Sequence, residues 1–170
     1  IVDVVDATNM HQSTTSGATV KGGKLYGSYL ETLWYASDPR QTDGTHNDGV
    51  QIFAGSSNEI IGNSFKHPDR HGNVVVFSPQ SDGNLQNTKV NYNWFRGGYT
   101  QVSLWDSNNS FVDVPGVQII GNRHGVDAHG GSNDHQWDIL ITQVNYDLRN
   151  DIRDNVLLDG VTPAFVYINN

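Results

Sequence analysis

Four side chains in the first half of the chain are of the types from which sugar chemistry is built: His46 and Asp48 in "HNDGVQIFAG", and Arg70 and His71 in "DRHG". A glycoside hydrolase needs two carboxylates flanking the scissile bond. Asp48 offers one; Gly72 and Thr100 hold its equivalent positions further on, so the nearest partner by register is Asp106. A polysaccharide lyase needs a base near the sugar C5 proton and a cation to neutralise the uronate, which His46 or His71 with Arg70 would supply. The same residues also suit a plain turn, because Asp and Asn bond their own backbone and Gly takes positive φ. Catalysis, glycan binding and turn formation therefore all remain open for this stretch. Metal chemistry is weaker. His124, His129 and His135 in "HGVDAHGGSNDH", and the acidic pairs Asp43 with Asp48 and Asp151 with Asp154, lack the spacing of a zinc or calcium site, so no metal and no cofactor are expected.

What would position these groups is a repeat. "NEIIGNSF" (58–65), "KVNYNWF" (89–95), "VQIIGNRHG" (117–125) and "NDIRDNVLL" (150–158) share one pattern, and Asn63, Asn93, Asn122 and Asn155 fall at spacings of 30, 29 and 33 residues. A second track of short alternating runs lies between them: "GVQIF", "NVVVF", "QVSLW", "DILIT" and "FVYIN". Two short strands and a turn Asn at a period of about 30 residues are the mark of a parallel β-solenoid. A β-sandwich also has many short strands, but nothing in it calls for an Asn at one place per repeat. The fold expected is all-β, a right-handed parallel β-helix of about five to six coils, as a single domain over residues 1–170. The chain opens in a strand-like "IVDVV" and is expected to be the C-terminal part of a longer protein.

The Asn is expected to sit at one corner, where its short amide tolerates a left-handed turn and stacked amides bond along the axis. Aligning Val50, Val74, Val102 and Ile139 puts Ile52, Val76, Leu104 and Ile141 on the same, inward side. Phe53, Phe77 and Trp105 then share the other parity, with strand spacing of about 4.8 Å. Such a ladder either turns into the core or forms an outward strip on which sugar rings stack. In the same alignment His46, Asp48, Arg70 and His71 converge on one edge.

Composition narrows the partners. Ten Lys and Arg against eighteen Asp and Glu give a net charge of −8, which works against nucleic acid and anionic bilayers. There is no cysteine, so packing rather than disulfides must hold the fold. No apolar run approaches the roughly 18 residues that span a bilayer, so no membrane insertion is expected.

"HNDGVQIFAGSSNEIIGNSF", "SDGNLQNTKVNYNWFRGGYTQVSL", "GVQIIGNRHG" and "DNVLLDGVTPAFVYIN" together resemble the parallel β-helix module of minor tail proteins of actinobacteria-infecting phages, over residues 43–170. The His-x-Asp-Gly-x-Gln element at His46–Gln51 and the "NWFRGGYT" turn are its most specific parts; "NRHG" departs from it, since an aromatic commonly follows the Arg. The catalytic pattern of galacturonan-cleaving β-helix enzymes is absent. The resemblance implies an extracellular virion component, a minor tail or tail-spike protein, that assembles with other virion proteins and presents a side face to host cell-surface polysaccharide. On this reading Phe53, Phe77, Trp105, His46, Asp48, Arg70 and His71 would touch the glycan. A polysaccharide lyase or hydrolase using His46, Asp48, Arg70 and His71 is the alternative, and a purely architectural fibre or decoration subunit the third. Spike-like solenoids commonly close as trimers, and a homotrimer is expected here.

Overall fold

The computed structural model describes residues 8–10, 22–31, 48–52, 55–67, 72–77, 85–105, 114–127, 137–142 and 149–169. These residues hold strands and turns and no helix. A first strand, β1 (Thr8–Met10), precedes β2 (Lys24–Tyr26), β3 (Tyr29–Glu31) and β4 (Val50–Ile52). The next repeat contains β5 (Gly55–Ser56), β6 (Glu59–Ile61), β7 (Ser64–His67) and β8 (Val75–Phe77). It is followed by β9 (Leu85–Gln86), β10 (Lys89–Asn91), β11 (Trp94–Gly97) and β12 (Val102–Trp105). Then come β13 (Gln118–Ile120), β14 (Arg123–His124) and β15 (Ile139–Thr142), and last β16 (Asp151–Arg153), β17 (Val156–Leu157) and β18 (Val166–Asn169).

Every strand pairs in parallel with its counterpart one repeat away. The first sheet runs β1-β4-β8-β12-β15-β18, the second β16-β13-β10-β6-β2, the third β17-β14-β11-β7-β3, and β5 with β9 forms a small fourth. The result is a solenoid-like stack of parallel strands. Its core is filled by the same inward position on rung after rung: Val50, Val75, Val102 and Ile139, with Ile52, Phe77, Leu104 and Ile141, on the first sheet. Ile60, Val90 and Ile119 do the same on the second, and Leu30, Phe65, Phe95 and His124 on the third. Phe65 and Phe95 stack with centroids 5.2 Å apart, and the His124 ring follows at 5.3 Å. The "NRHG" departure thus keeps a ring in the stack.

The asparagine column forms at the corner between the second and third sheets. The side-chain oxygen of Asn93 accepts from the backbone N–H of Asn63 at 2.9 Å, Asn122 serves Asn93 at 2.9 Å, and Asn155 serves Asn122 at 3.1 Å. Each amide nitrogen donates to a carbonyl of the preceding rung: Asn63 to Leu25, Asn93 to Ile60, Asn122 to Val90 and Asn155 to Ile119. A buried amide meets its bonding demand only by such a ladder, and identical residues on successive rungs supply it. The left-handed residue is not the Asn, as expected, but the one before it: Gly62, Tyr92, Gly121 and Asp154 have φ of 67°, 58°, 65° and 58°. Glycine takes that conformation freely; Tyr92 takes it with strain, and its ring lies over Gly121, where a Cβ would stand 2.7 Å from it.

One register differs from expectation. Val75 pairs with Val50 and Val102, and Phe77 with Ile52 and Leu104, so Val76 points outward beside Gln51 and Ser103. The run "NVVVF" is apolar at both parities, and periodicity alone does not choose between them. Phe77 is buried in the core and belongs to no outward aromatic ladder.

Candidate functional site

Asp48 and Gly49 open β4, and their chemistry is inward. Asp48 is fully buried; its Oδ1 accepts from the backbone N–H of Asn73 at 2.7 Å and from the Asn73 amide at 3.2 Å, while its Oδ2 accepts from Gln51 Nε2 at 2.6 Å. Thr100 Oγ1 extends the column by donating to Asn73 Oδ1 at 2.6 Å. A Cβ at Gly49 would stand 2.5 Å from the Val74 carbonyl oxygen, so only glycine lets the rungs close there. Three residues of "HNDGVQ" thus have structural work: Asp48 caps the next rung, Gly49 admits it, and Gln51 holds the carboxylate. The stacking expected of Asp48 with Gly72 is replaced by Asp48 with Asn73, by the same one-residue shift. His46, Arg70, His71 and Phe53 lie outside the described residues, as do Asp43, Asp106, His129 and His135. His124 is turned into the core: Gln101 Nε2 donates to the Gly125 carbonyl at 2.8 Å, leaving Gln101 Oε1 to accept from His124 Nδ1 at 2.9 Å. Burial lowers its pKa to about 3, so the ring is neutral. Asp151 and Asp154 are ion-paired with Arg153.

"NWFRGGYT" is also explained by close approach. Gly97 and Gly98 both have positive φ, of 74° and 79°, and a side chain at Gly97 would collide with the His67 carbonyl. The tight pair lets Gly98 donate to His67 O at 2.7 Å and sends the chain into β12.

The first sheet's outward face is largely closed: Gln51, Val76 and Ser103 are 7%, 4% and 2% exposed. Trp105, at the far end of β12 and paired with Thr142, is 39% exposed. A second face carries more exposed aromatics. On the third sheet, the residue after the Asn corner forms an outward row of Tyr29, Ser64, Trp94, Arg123 and Val156 on successive rungs. Tyr29 and Trp94 are 52% and 55% exposed and stand two rungs apart, about 9.6 Å, with the small Ser64 between them. The Arg123 guanidinium lies 6.0 Å from the Trp94 ring centroid. Tyr92 and Tyr26 flank the same corner and are exposed.

A polar row runs beside this slot. Glu31, Lys66 and Arg96 are in register; Lys66 Nζ is 2.7 Å from Glu31, Tyr29 OH donates to Glu31 at 2.8 Å, and Arg96 Nε is 3.3 Å from Asp127. The Lys66 and Tyr29 hydrogen bonds hold the Glu31 carboxyl below its ordinary pKa, and donation to Glu31 raises that of Tyr29. The charges are internally paired, so the strip offers aromatic faces with hydroxyl, ammonium and carboxylate groups and little net field. Aligning residues one place after the Asn column would have found this row in the sequence; following the apolar track led instead to the first sheet.

Comparison with models of known protein families, with curated proteins and with solved structures finds no match to the chain.

Proposed function

We propose that the chain is a virion structural protein, a right-handed parallel β-helix of about five coils from a phage tail, whose third-sheet face binds host cell-surface glycan. The observation that carries the binding part is the exposed pair Tyr29 and Trp94 on either side of Ser64. Pyranose rings present C–H faces that pack on aromatic rings, and their hydroxyls bond to charged and polar groups such as Glu31, Lys66 and Arg96 at the rim. An extended polysaccharide laid along the solenoid axis would meet one aromatic, pass the small Ser64, and meet the next. The virion and tail part rests on the sequence resemblance. Asp48 is buried and bonded to Asn73 and Gln51, which speaks against it as a hydrolase carboxylate; the lyase candidates His46, Arg70 and His71 lie outside the described residues.

The test is calorimetric titration with purified host cell-wall polysaccharide, run beside assays for new reducing ends and for unsaturated uronate absorbance. Saturable heat without product is expected. Product formation would establish the lyase or hydrolase alternative, and absence of both signals would leave the architectural reading.

A further inference from the structure

The residue before each corner position forms a row of its own: Gly27, Gly62, Tyr92, Gly121 and Asp154, all at positive φ. The backbone runs the same course along it. Gly27 donates its N–H to Ile61 O at 3.2 Å, Gly62 to Asn91 O at 3.1 Å, Tyr92 to Ile120 O at 2.9 Å and Gly121 to Arg153 O at 3.1 Å. Three of the five positions make this turn with no side chain, so the turn itself asks for none.

At Tyr92 the chain instead places a bulky ring at φ 58°, where a Cβ crowds the backbone. The other non-glycine residues at positive φ among the described residues are Ser57, Asn87 and Asp154, all with short side chains. Packing returns little of the strain at Tyr92. The residue is 62% exposed, only the Cδ1–Cε1 edge of its ring approaches Gly121, and the row has glycine on both adjacent rungs, so none of its side chains flanks the ring. The hydroxyls of Tyr26 and Tyr29 are held by Glu59 and Glu31, whereas that of Tyr92 has no partner among the described residues. The strained turn persists because the buried Asn93, bonded to Asn63 on one side and Asn122 on the other, fixes it. An exposed side chain on a strained backbone that its surroundings over-determine is the pattern of a functional position.

Trp94 leaves the same corner on the other side of Asn93, onto the third sheet, in one row with Tyr29 two rungs away. Tyr92 and Trp94 therefore stand on one rung, side by side across the corner. A polysaccharide running along the axis over Tyr29 and Trp94 passes Tyr92 on its flank, and a sugar that projects sideways from it meets that ring.

We propose that Tyr92 is a sugar-stacking residue and that the ligand is a branched glycan, whose main chain follows Tyr29 and Trp94 and whose side residue packs on Tyr92. This rests on the glycan-binding reading of the third sheet and adds a lateral subsite to it. The ring supplies apolar area for the C–H face of the sugar, and its hydroxyl supplies a donor and an acceptor for the sugar's own hydroxyls.

Tyr92→Gly separates binding from folding, because glycine already occupies this position on the rungs before and after. Its melting temperature is expected to stay within about 2 °C of the wild type's or to rise, since glycine adopts positive φ freely while loosening the unfolded chain. The binding readout is calorimetric titration with cell-wall polysaccharide, intact and after mild acid has removed its side residues. Tyr92→Gly is expected to bind the intact material roughly three- to tenfold more weakly than the wild type, and the trimmed material equally well. Trp94→Ala, titrated alongside, separates the subsite from the site. If Trp94→Ala loses affinity while Tyr92→Gly binds intact polysaccharide as the wild type does, the third-sheet site stands and the lateral subsite is overturned. An equal loss by Tyr92→Gly on intact and trimmed material would put the ring under the main chain and overturn the branch. A melting temperature lowered by more than about 5 °C would assign the ring to the fold and overturn the proposal as well. Absence of binding by the wild type to either material would remove the site and the subsite together.

Discussion

Outward positions on the first and third sheets obey the same two-residue alternation, yet they meet different surroundings. On the first sheet Gln51, Val76 and Ser103 point away from the core and are buried; on the third, Tyr29, Ser64 and Trp94 point away from it and are exposed. Parity along a strand says which way a side chain leaves the sheet, not whether water is there to receive it. The side-chain types agree with this difference. The buried outward face carries Val76, Ser103 and a Gln51 bonded to Asp48, while the exposed one carries amphipathic rings and ion pairs. A ligand-binding surface needs both the outward parity and the solvent: on the first sheet the two coincide only toward Trp105 and Tyr167, whereas on the third they coincide at Tyr29, Ser64 and Trp94.

The sharpest way to break that contrast is to place one charge on each face. Val76→Asp should lower stability in urea denaturation by about 3 kcal/mol or more, because a carboxylate would be buried without a partner. Ser64→Asp should change it by less than roughly 0.5 kcal/mol. Equal effects would mean that the faces are alike. Behind the exposed face, His124 gives the inner side of the third sheet a pH dependence. Its pKa is 6.5 when unfolded and about 3 when folded, so between these values the unfolded chain binds a proton that the native one does not. The stability it supports is complete above pH 6.5 and is lost as pH falls toward 3. From pH 7 to pH 5 the wild type should lose about 2 kcal/mol more than His124→Phe, which keeps the ring stack without the titration. Parallel pH dependences of the two proteins would contradict the buried neutral ring. The smallest effect concerns the rim: Lys66→Ala breaks an exposed pair with Glu31 and should leave the urea midpoint nearly unchanged, with any difference vanishing at high salt.

Much of the stack was legible because identical residues recur. Asn63, Asn93, Asn122 and Asn155 mark the corner since each amide bonds the next, and repetition of a single residue type survives in the sequence as a period. The corner at Asp48 is different. Asp48, Asn73 and Thr100 hold one column with three unlike side chains, and the Asp48–Asn73 bond spans 25 residues, so no self-alignment reveals it. The "KLYGSYLE" repeat around β2 and β3 escaped for a related reason: Ser28 stands where the other rungs have Asn, donating its N–H to Asn63 Oδ1 at 2.9 Å. In "NVVVF" the parity was hidden by apolar residues on both sides, and the error carried Phe77 to the wrong face. Which outward face is covered depends on packing between distant segments and has no local signature. The apolar track therefore points to an aromatic strip on the first sheet, while Tyr29 and Trp94 stand exposed on the third.

The measurement that bears most directly on the proposed glycan-binding face is a parallel titration of cell-wall polysaccharide into the wild type, Trp94→Ala and Trp105→Ala, with thermal melts as a check on folding. The two tryptophans lie on different sheets, and both side chains are partly exposed. If the third sheet carries the site, Trp94→Ala weakens binding by roughly tenfold or more, as expected for loss of a stacking aromatic, while Trp105→Ala leaves it within about twofold. Binding that survives Trp94→Ala and collapses on Trp105→Ala, with both variants folded, would place the site on the first sheet and contradict the account.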